Sequence, residues 1–186
     1  MRILVINTDS IGDFVLREPL FTALTQAGHE LALIVRSAVA PLARWVAPRA
    51  HVIHLPDDPY SQYFDANSAS VQRVIADARS FAPEICGIVQ YQRTVFEELL
   101  AESLSGVRTL GIDGYLYQGS VDSGLEPKSR LRLDVPVKVS IDSHELRKNE
   151  AFCSALLQKN VTLPQPALPS TGATWAASTA STRCGR

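Results

Sequence analysis

Arg2-Ile3-Leu4-Val5-Ile6-Asn7-Thr8-Asp9-Ser10-Ile11-Gly12-Asp13-Phe14-Val15-Leu16 opens the chain, and its reading decides the fold. Arg2 to Asn7 is a short, continuously apolar run, the pattern of a strand covered on both faces rather than one. Thr8 to Gly12 is small and polar and reads as a loop. Leu16, Leu20, Leu24 and Ala27 then recur at helical spacing, and Gly28 supplies the stop. Pro19 falls inside this stretch. It either kinks one helix or starts the main helix after a short first turn.

Working outward, the same alternation repeats. Strands are expected over His29 to Val35, His51 to Leu55, Ile85 to Tyr91 and Arg108 to Ile112. Helices are expected over Ala38 to Ala47, Ser70 to Phe81 and Thr94 to Leu104, with a loop over Asp57 to Asn67. Strands alternating with helices predict an α/β, Rossmann-like parallel sheet with helices on both faces. Such sheets bind ligands beyond the carboxyl ends of their strands, which points to the loops after Asn7, Arg36, Leu55, Tyr91 and Ile112. After Gly114 the period changes. Leu131, Leu133, Val135, Val137, Val139 and Ile141 alternate with polar residues or Pro136, predicting a strand with one wet face, placed at an edge by the proline. Arg130, Arg132 and Lys138 share that wet face, either as a solvated surface or as an anion-binding patch. Ser143 is the expected cap of a final helix that turns Leu146, Phe152, Leu156 and Leu157 inward. The expected domain is 1–163. Residues 164–186 hold three Pro, seven Ser or Thr, five Ala and no acidic residue, and read as a low-complexity, unpacked tail.

Composition narrows the function classes. Hydrophobic residues make up 46% of the 186 residues, charged residues 20%, and the net charge is −1. That is the balance of a soluble globular protein, and it excludes a polycationic nucleic-acid binder. The longest apolar run, Leu31 to Val35, is far below the ~20 residues of a spanning helix. Three cysteines, Cys86, Cys153 and Cys184, form neither a disulfide framework nor a CxxC pair, and no His/Cys cluster marks a metal site. Without a signal-peptide pattern, a cytoplasmic location is expected.

The chemistry concentrates in the opening segment. Gly12 admits a backbone turn and a close ligand approach. Asp13 falls at a helix N-terminus, where the macrodipole favours a carboxylate. At the ligand-binding edge of a sheet such a carboxylate can serve as a general base, and it can equally be a plain helix cap. Neither GxGxxG nor GxxxxGK[ST] is present, so neither dinucleotide nor P-loop chemistry is indicated.

The opening segment resembles the first motif of glycosyltransferase family 9, the ADP-heptose:lipopolysaccharide heptosyltransferases. Gln26-Ala27-Gly28-His29-Glu30-Leu31, Phe81 to Gln92, Thr109-Leu110-Gly111-Ile112-Asp113 and Ser143-His144-Glu145-Leu146-Arg147-Lys148-Asn149 resemble later stretches of that family in the same order, so the resemblance covers Met1 to about Leu163. It implies the N-terminal, acceptor-holding domain of a GT-B enzyme, with the C-terminal donor-binding domain absent from this chain. It implies inverting transfer from a nucleotide sugar, ADP-heptose or a relative, to a lipopolysaccharide-core acceptor, with no cofactor, no metal and at most peripheral contact with the inner membrane face. Asp13 matches the family's candidate base. Ser10 and Gly12 would shape the turn beside the acceptor, and Arg93 would either meet its phosphate or carboxylate groups or be a surface arginine at a helix start. Family members are roughly twice this length, so the isolated chain is expected to turn over slowly or not at all, lacking the cations that stabilise a departing diphosphate. A non-catalytic Rossmann-like binding module, or a truncated inactive product, is the alternative.

Overall fold

The computed structural model describes residues 1–117 and 131–167. Six parallel strands form one sheet: β1 (Arg2–Asn7), β2 (Glu30–Arg36), β3 (His51–Leu55), β4 (Ile85–Ile88), β6 (Arg108–Ile112) and β8 (Val135–Val137), in the order β3-β2-β1-β4-β6-β8. A separate two-stranded pair joins β5 (Gln92–Arg93) to β7 (Tyr115–Leu116). The helices are α1 (Ile11–Leu16), α2 (Glu18–Gln26), α3 (Ala40–Val46), α4 (Ala69–Phe81), α5 (Val95–Ser103) and α6 (Glu145–Leu157). Strand order runs outward from β1 in one direction and then, from β4, in the other. The reversal falls between β1 and β4, the place where doubly wound sheets open a crevice.

The continuous apolar run of β1 serves two cores. Ile3 and Val5 pack with Phe14, Leu20, Leu24 and Phe152 on one face, while Leu4 and Ile6 pack with Val71, Val74, Phe96 and Leu100 on the other. Helices α1, α2, α3 and α6 therefore cover the first face, and α4 and α5 the second. The α/β, Rossmann-like fold expected from the sequence is the fold observed.

Several boundaries differ from the sequence reading, each for a local reason. Pro19 starts the main helix after a short first one: it occupies the first turn of α2, and the chain breaks at Arg17. Gly28 ends α2 at φ +81°, with the amide of His29 donating to the carbonyl of Leu24 at 3.2 Å. The strand expected over Ile85 to Tyr91 stops at Ile88, and β5 pairs with β7 instead of continuing the main sheet. The strand expected over residues 131–141 is reduced to β8, which among the described residues pairs only with β6, leaving Pro136 at an edge of the sheet they form. Asp134 anchors it by accepting from the amide and hydroxyl of Thr109 at 2.7 and 2.9 Å. The cap of α6 is His144, not Ser143: its Nδ1 accepts from the amide of Leu146 at 3.2 Å. Leu163 is buried, and the amide of Ala167 donates to Glu18 Oε2 at 3.1 Å, so the described chain continues against α2 past the expected domain end. The low-complexity reading of residues 168–186 lies outside the described residues, as does Arg130.

Candidate functional site

The carboxyl ends of β1 and β4 place Asn7, Thr8, Asp9, Val89, Gln90 and Tyr91 around the switch point. The chain then needs a helix start, and Ser10 provides it. Its backbone is extended, and its Oγ accepts from the amide of Asp13 at 3.4 Å while donating to Asp13 Oδ2 at 2.8 Å. Asp13 therefore sits in the first turn of α1, partly exposed, with one carboxylate oxygen held and the other making no hydrogen bond among the described residues. It is not sealed against its own backbone. A crevice of about 210 Å³ opens beside it, lined by Asp9, Asp13, Arg17, Tyr91, Gln92, Tyr115, Ile141, Glu145 and Lys148.

Gly12 lies within α1 and not in a turn, since the helix already begins at Ile11. A Cβ at Gly12 would meet nothing nearer than Ser10 Oγ at 3.8 Å. Its contribution is a bare, exposed patch of helix beside Asp13, rather than a special backbone angle. Arg93 stands apart from the crevice. Only 3% exposed, it donates from Nη1 to the carbonyl of Ile112 at 2.9 Å and lies 3.9 Å from Glu98 Oε1. Its guanidinium braces the β5 and β7 pair, donating also to the carbonyl of Gly114 at 3.4 Å, and it does not line the crevice beside Asp13. Arg132 and Lys138 are exposed.

The residue that sequence reasoning missed is Arg17. It is 1% exposed, yet charged. Nη1 donates to Asn7 Oδ1 at 2.5 Å, Nη2 donates to Asp9 Oδ2 at 2.5 Å, and Glu145 Oε2 lies 3.6 Å from Nη2. One guanidinium fork thus joins the end of β1, the break between α1 and α2, and the start of α6. The available signal was local: a basic residue between apolar Leu16 and Leu20, eight positions after an aspartate in a loop. The other oxygen of Asp9 accepts from the hydroxyl of Tyr60 at 3.1 Å, and burial together with Asp9 raises the Tyr60 phenol far above its usual value. Lys148 reaches the crevice from α6, paired with Glu145 at 2.7 Å and lying over the Tyr91 ring at 5.4 Å.

The crevice wall depends on one close backbone approach. Tyr115 donates its amide to the carbonyl of Tyr91 at 3.0 Å, and Gly114 precedes it so tightly that an added Cβ would collide with that carbonyl oxygen. The two tyrosine rings meet edge to face, with centroids 5.8 Å apart. On the far side of β1, Glu97 is fully buried and accepts from Thr8 Oγ1, from Gln90 Nε2 at 3.2 Å, and from the amide and hydroxyl of Thr94 at 2.5 Å each. Burial raises its carboxyl against the opposing pull of those donors.

Among the described residues, no group of three His, Cys, Asp or Glu is arranged to hold a metal ion, and no helix is long and apolar enough to cross a membrane. No protein-family profile and no curated protein sequence matches the chain. Solved structures do. The heptosyltransferase WaaC of E. coli, determined with ADP-2-deoxy-2-fluoro heptose, superposes with a TM-score of 0.60 at 17% identity, over 89% of this chain and 51% of that one. The E. coli ADP-heptose lps heptosyltransferase II gives 0.55 at 13% identity, over 92% of this chain and 47% of the other. A glycosyl transferase family 9 protein from Veillonella parvula gives 0.54 at 13% identity, over 87% and 41%. This chain thus spans about half the length of its structural neighbours, and the fold it forms is one shared with heptosyltransferases and other members of glycosyltransferase family 9.

Proposed function

We propose that this chain supplies the acceptor-holding half of a heptosyltransferase-like glycosyltransferase of lipopolysaccharide core assembly. In this reading Asp13 takes the proton of the acceptor hydroxyl as the hydroxyl oxygen attacks the anomeric carbon of a nucleotide sugar, ADP-heptose or a relative. The bond from that carbon to the diphosphate breaks, and the configuration inverts. The observation that carries the reading is the placement of Asp13. Its carboxylate stands at the switch point of the sheet, fixed by Ser10 through one oxygen, with its other oxygen uncommitted beside an open crevice. Ser10 and Gly12 assist by orienting the carboxylate and by leaving the helix surface bare for a sugar. The neighbours determined with ADP and with a fluorinated ADP-heptose support a nucleotide sugar as the donor.

The donor-side cations belong to a second domain in this reading, so catalysis is tested with a protein that contains both halves. Asp13→Asn is nearly isosteric and removes the base. Transfer should fall by about 10²- to 10⁴-fold, the usual contribution of a positioned general base. Unchanged transfer would remove Asp13 from the mechanism. Calorimetry on the 186-residue chain separates this reading from a nucleotide-binding module. Core-type sugar acceptors should bind and nucleotide sugars should not. Nucleotide binding without acceptor binding would favour the module.

A further inference from the structure

We infer that the outer edge of β3 is a self-association surface, on which a second copy of this chain pairs its own β3 antiparallel about a two-fold axis at Ile53. The two edges of the main sheet are built differently. β8 has 3 residues, carries Pro136 and closes one side. Short length and proline are the usual guards against an added strand. β3, on the other side, has 5 residues, His51–Leu55, without proline or lysine, and among the described residues it pairs only with β2. The ladder fixes which groups this edge presents. β3 runs parallel to β2, with His51, Ile53 and Leu55 opposite Ala32, Ile34 and Arg36, and the carbonyl of Leu55 accepts from the amide of Ser37 at 3.1 Å. Leu55, and with it Ile53 and His51, therefore turn their amides and carbonyls towards β2. Val52 and His54 turn theirs outward.

A second β3 meets both residues at once. Antiparallel strands exchange paired bonds at every other residue. With Ile53 opposite the partner's Ile53, Val52 meets the partner's His54 and His54 meets the partner's Val52, which gives about four backbone bonds. The flanking surface suits the same axis. A groove of about 730 Å³ runs along this edge, lined by His51, Val52, Ile53 and His54 from β3 and by Arg73 and Asp77 from α4. Arg73 and Asp77 stand one turn apart, both exposed, and form no ion pair among the described residues. A surface that meets itself about a two-fold needs both signs, because residue i meets j and j meets i. The levels agree. The Phe81 ring stacks on His51, with centroids 6.3 Å apart. Going along β3 from His51 to Ile53 covers about 7 Å. Going back along α4 from Phe81 to Ile75, midway between Arg73 and Asp77, covers about 9 Å. The axis that pairs the strands thus brings Arg73 towards the partner's Asp77, and Asp77 towards the partner's Arg73. One short edge and one groove make a small contact, so the dimer should be weak, with a dissociation constant of about 10–100 μM.

The test is sedimentation velocity and amide hydrogen exchange on the 186-residue chain, at concentrations from about 5 μM to about 0.5 mM. The mass should rise from monomer towards dimer across that range. At its upper end the amides of Val52 and His54 should gain about three-fold or more protection, while those of Ile53 and Leu55, already bonded to β2, hardly change. His54→Pro removes an outward amide and no bond to β2, so the strand survives while the pairing loses that bond twice, once in each copy. Dimerisation should weaken about ten-fold or more. Asp77→Arg should weaken it as well, and adding Arg73→Asp should restore it, a reciprocal rescue that damage to the fold would not produce. A chain that stays monomeric throughout, a dimer indifferent to His54→Pro and to the charge reversal, or a dimer whose amides at 52 and 54 stay unprotected would each overturn the inference. Protection of those two amides by an added, unrelated extended peptide, in a chain that itself stays monomeric, would assign the edge to a different strand and overturn it too.

Discussion

Three consecutive residues at the end of β1 feed two buried polar clusters of opposite character. Asn7 and Asp9 turn towards Arg17, on the face covered by α1, α2 and α6, and Thr8 turns towards Glu97, on the face covered by α4 and α5. The Arg17 cluster is ionic and leads outward: its partners Asp9 and Glu145 keep 15% and 23% of their side-chain surface and line the crevice. The Glu97 cluster is sealed, with Thr8, Gln90, Thr94 and Glu97 all fully buried. Asn7 follows the strand alternation of β1, on the face of Ile3 and Val5, and the loop residues Thr8 and Asp9 carry the same division past the strand end. The difference shows how one strand end does two jobs. The sealed cluster fixes the β1 and β4 ends against α5, and the open one lines the crevice with charged side chains.

The largest expected effect lies in the open cluster. Arg17→Met keeps an aliphatic stem and removes the charged fork, leaving Asp9 without its ion-pair partner and Glu145 with Lys148 alone. Breaking a fully buried pair costs about 3–5 kcal/mol; here the lower end applies, because Asp9 keeps some solvent contact and Glu145 keeps Lys148. Chemical denaturation measures it. Adding Asp9→Asn should recover part of the loss, since one orphaned charge is then gone. A loss below about 1 kcal/mol in the single variant would mean the guanidinium is not the joint described here.

That joint was also the least legible part of the sequence. The β1 strand, its following loop and the alternation of strands with helices are written in local apolar runs and turn residues, and they were readable. So was Asp13, as a carboxylate after a glycine at a helix start. Arg17 was not, because its meaning comes from Glu145, which arrives from α6 far along the chain, and from Asn7 and Asp9 on the preceding strand and loop. Locally it is only a basic residue beside Glu18 in an otherwise apolar stretch from Phe14 to Leu24. The contacts of Arg93 were hidden for a related reason. An arginine after a strand looks ligand-facing, yet the β5 and β7 pairing folds it back onto the carbonyl of Ile112. That pairing depends on Gly114 lying against Tyr91, a contact between segments that no local pattern encodes. The His144 cap was hidden by a preceding serine, the commoner capping residue.

The sealed cluster should show itself in pH dependence. Burial raises the Glu97 carboxyl above its ordinary 4.5, so the folded state holds this proton more tightly than the unfolded chain. The contribution to stability is then fully present below 4.5 and is lost as pH rises through the higher folded-state value. Glu97→Gln cannot ionise. Its denaturation free energy, measured relative to the wild type at a series of pH values, should improve steadily as pH rises above 4.5. A difference that stays flat with pH would mean that Glu97 carries no raised proton affinity.

A smaller effect of opposite sign belongs to the sheet edge, away from both clusters. The amide and hydroxyl of Thr109 hold the Asp134 carboxyl below its ordinary 3.8, so here the stabilisation is present above 3.8 and is lost as pH falls through the folded-state value. Thr109→Val keeps the amide bond and removes the hydroxyl. The acid limb of the stability curve should become shallower in this variant, while the rise attributed to Glu97→Gln should be untouched. An effect on that second slope would show that the edge and the centre of the sheet are coupled.

The smallest stability change is expected where the chemistry is placed. Ser10→Ala removes the hydroxyl that caps α1 and that holds Asp13 Oδ2. Loss of a helix cap costs typically about 1 kcal/mol, and α1 is a helix of only 6 residues on the protein surface, so the lower part of the ~0.5–2 kcal/mol range applies. Its effect on transfer, in a protein carrying both halves, should be larger than its effect on folding, because a carboxylate free to rotate is a poorly aimed base. Ser10→Thr keeps the hydroxyl and should restore both. If Ser10→Ala and Asp13→Asn instead shift stability equally and leave acceptor binding and transfer unchanged, the first turn of α1 is a cap and nothing more, and the contrast between a structural and a functional end of β1 disappears.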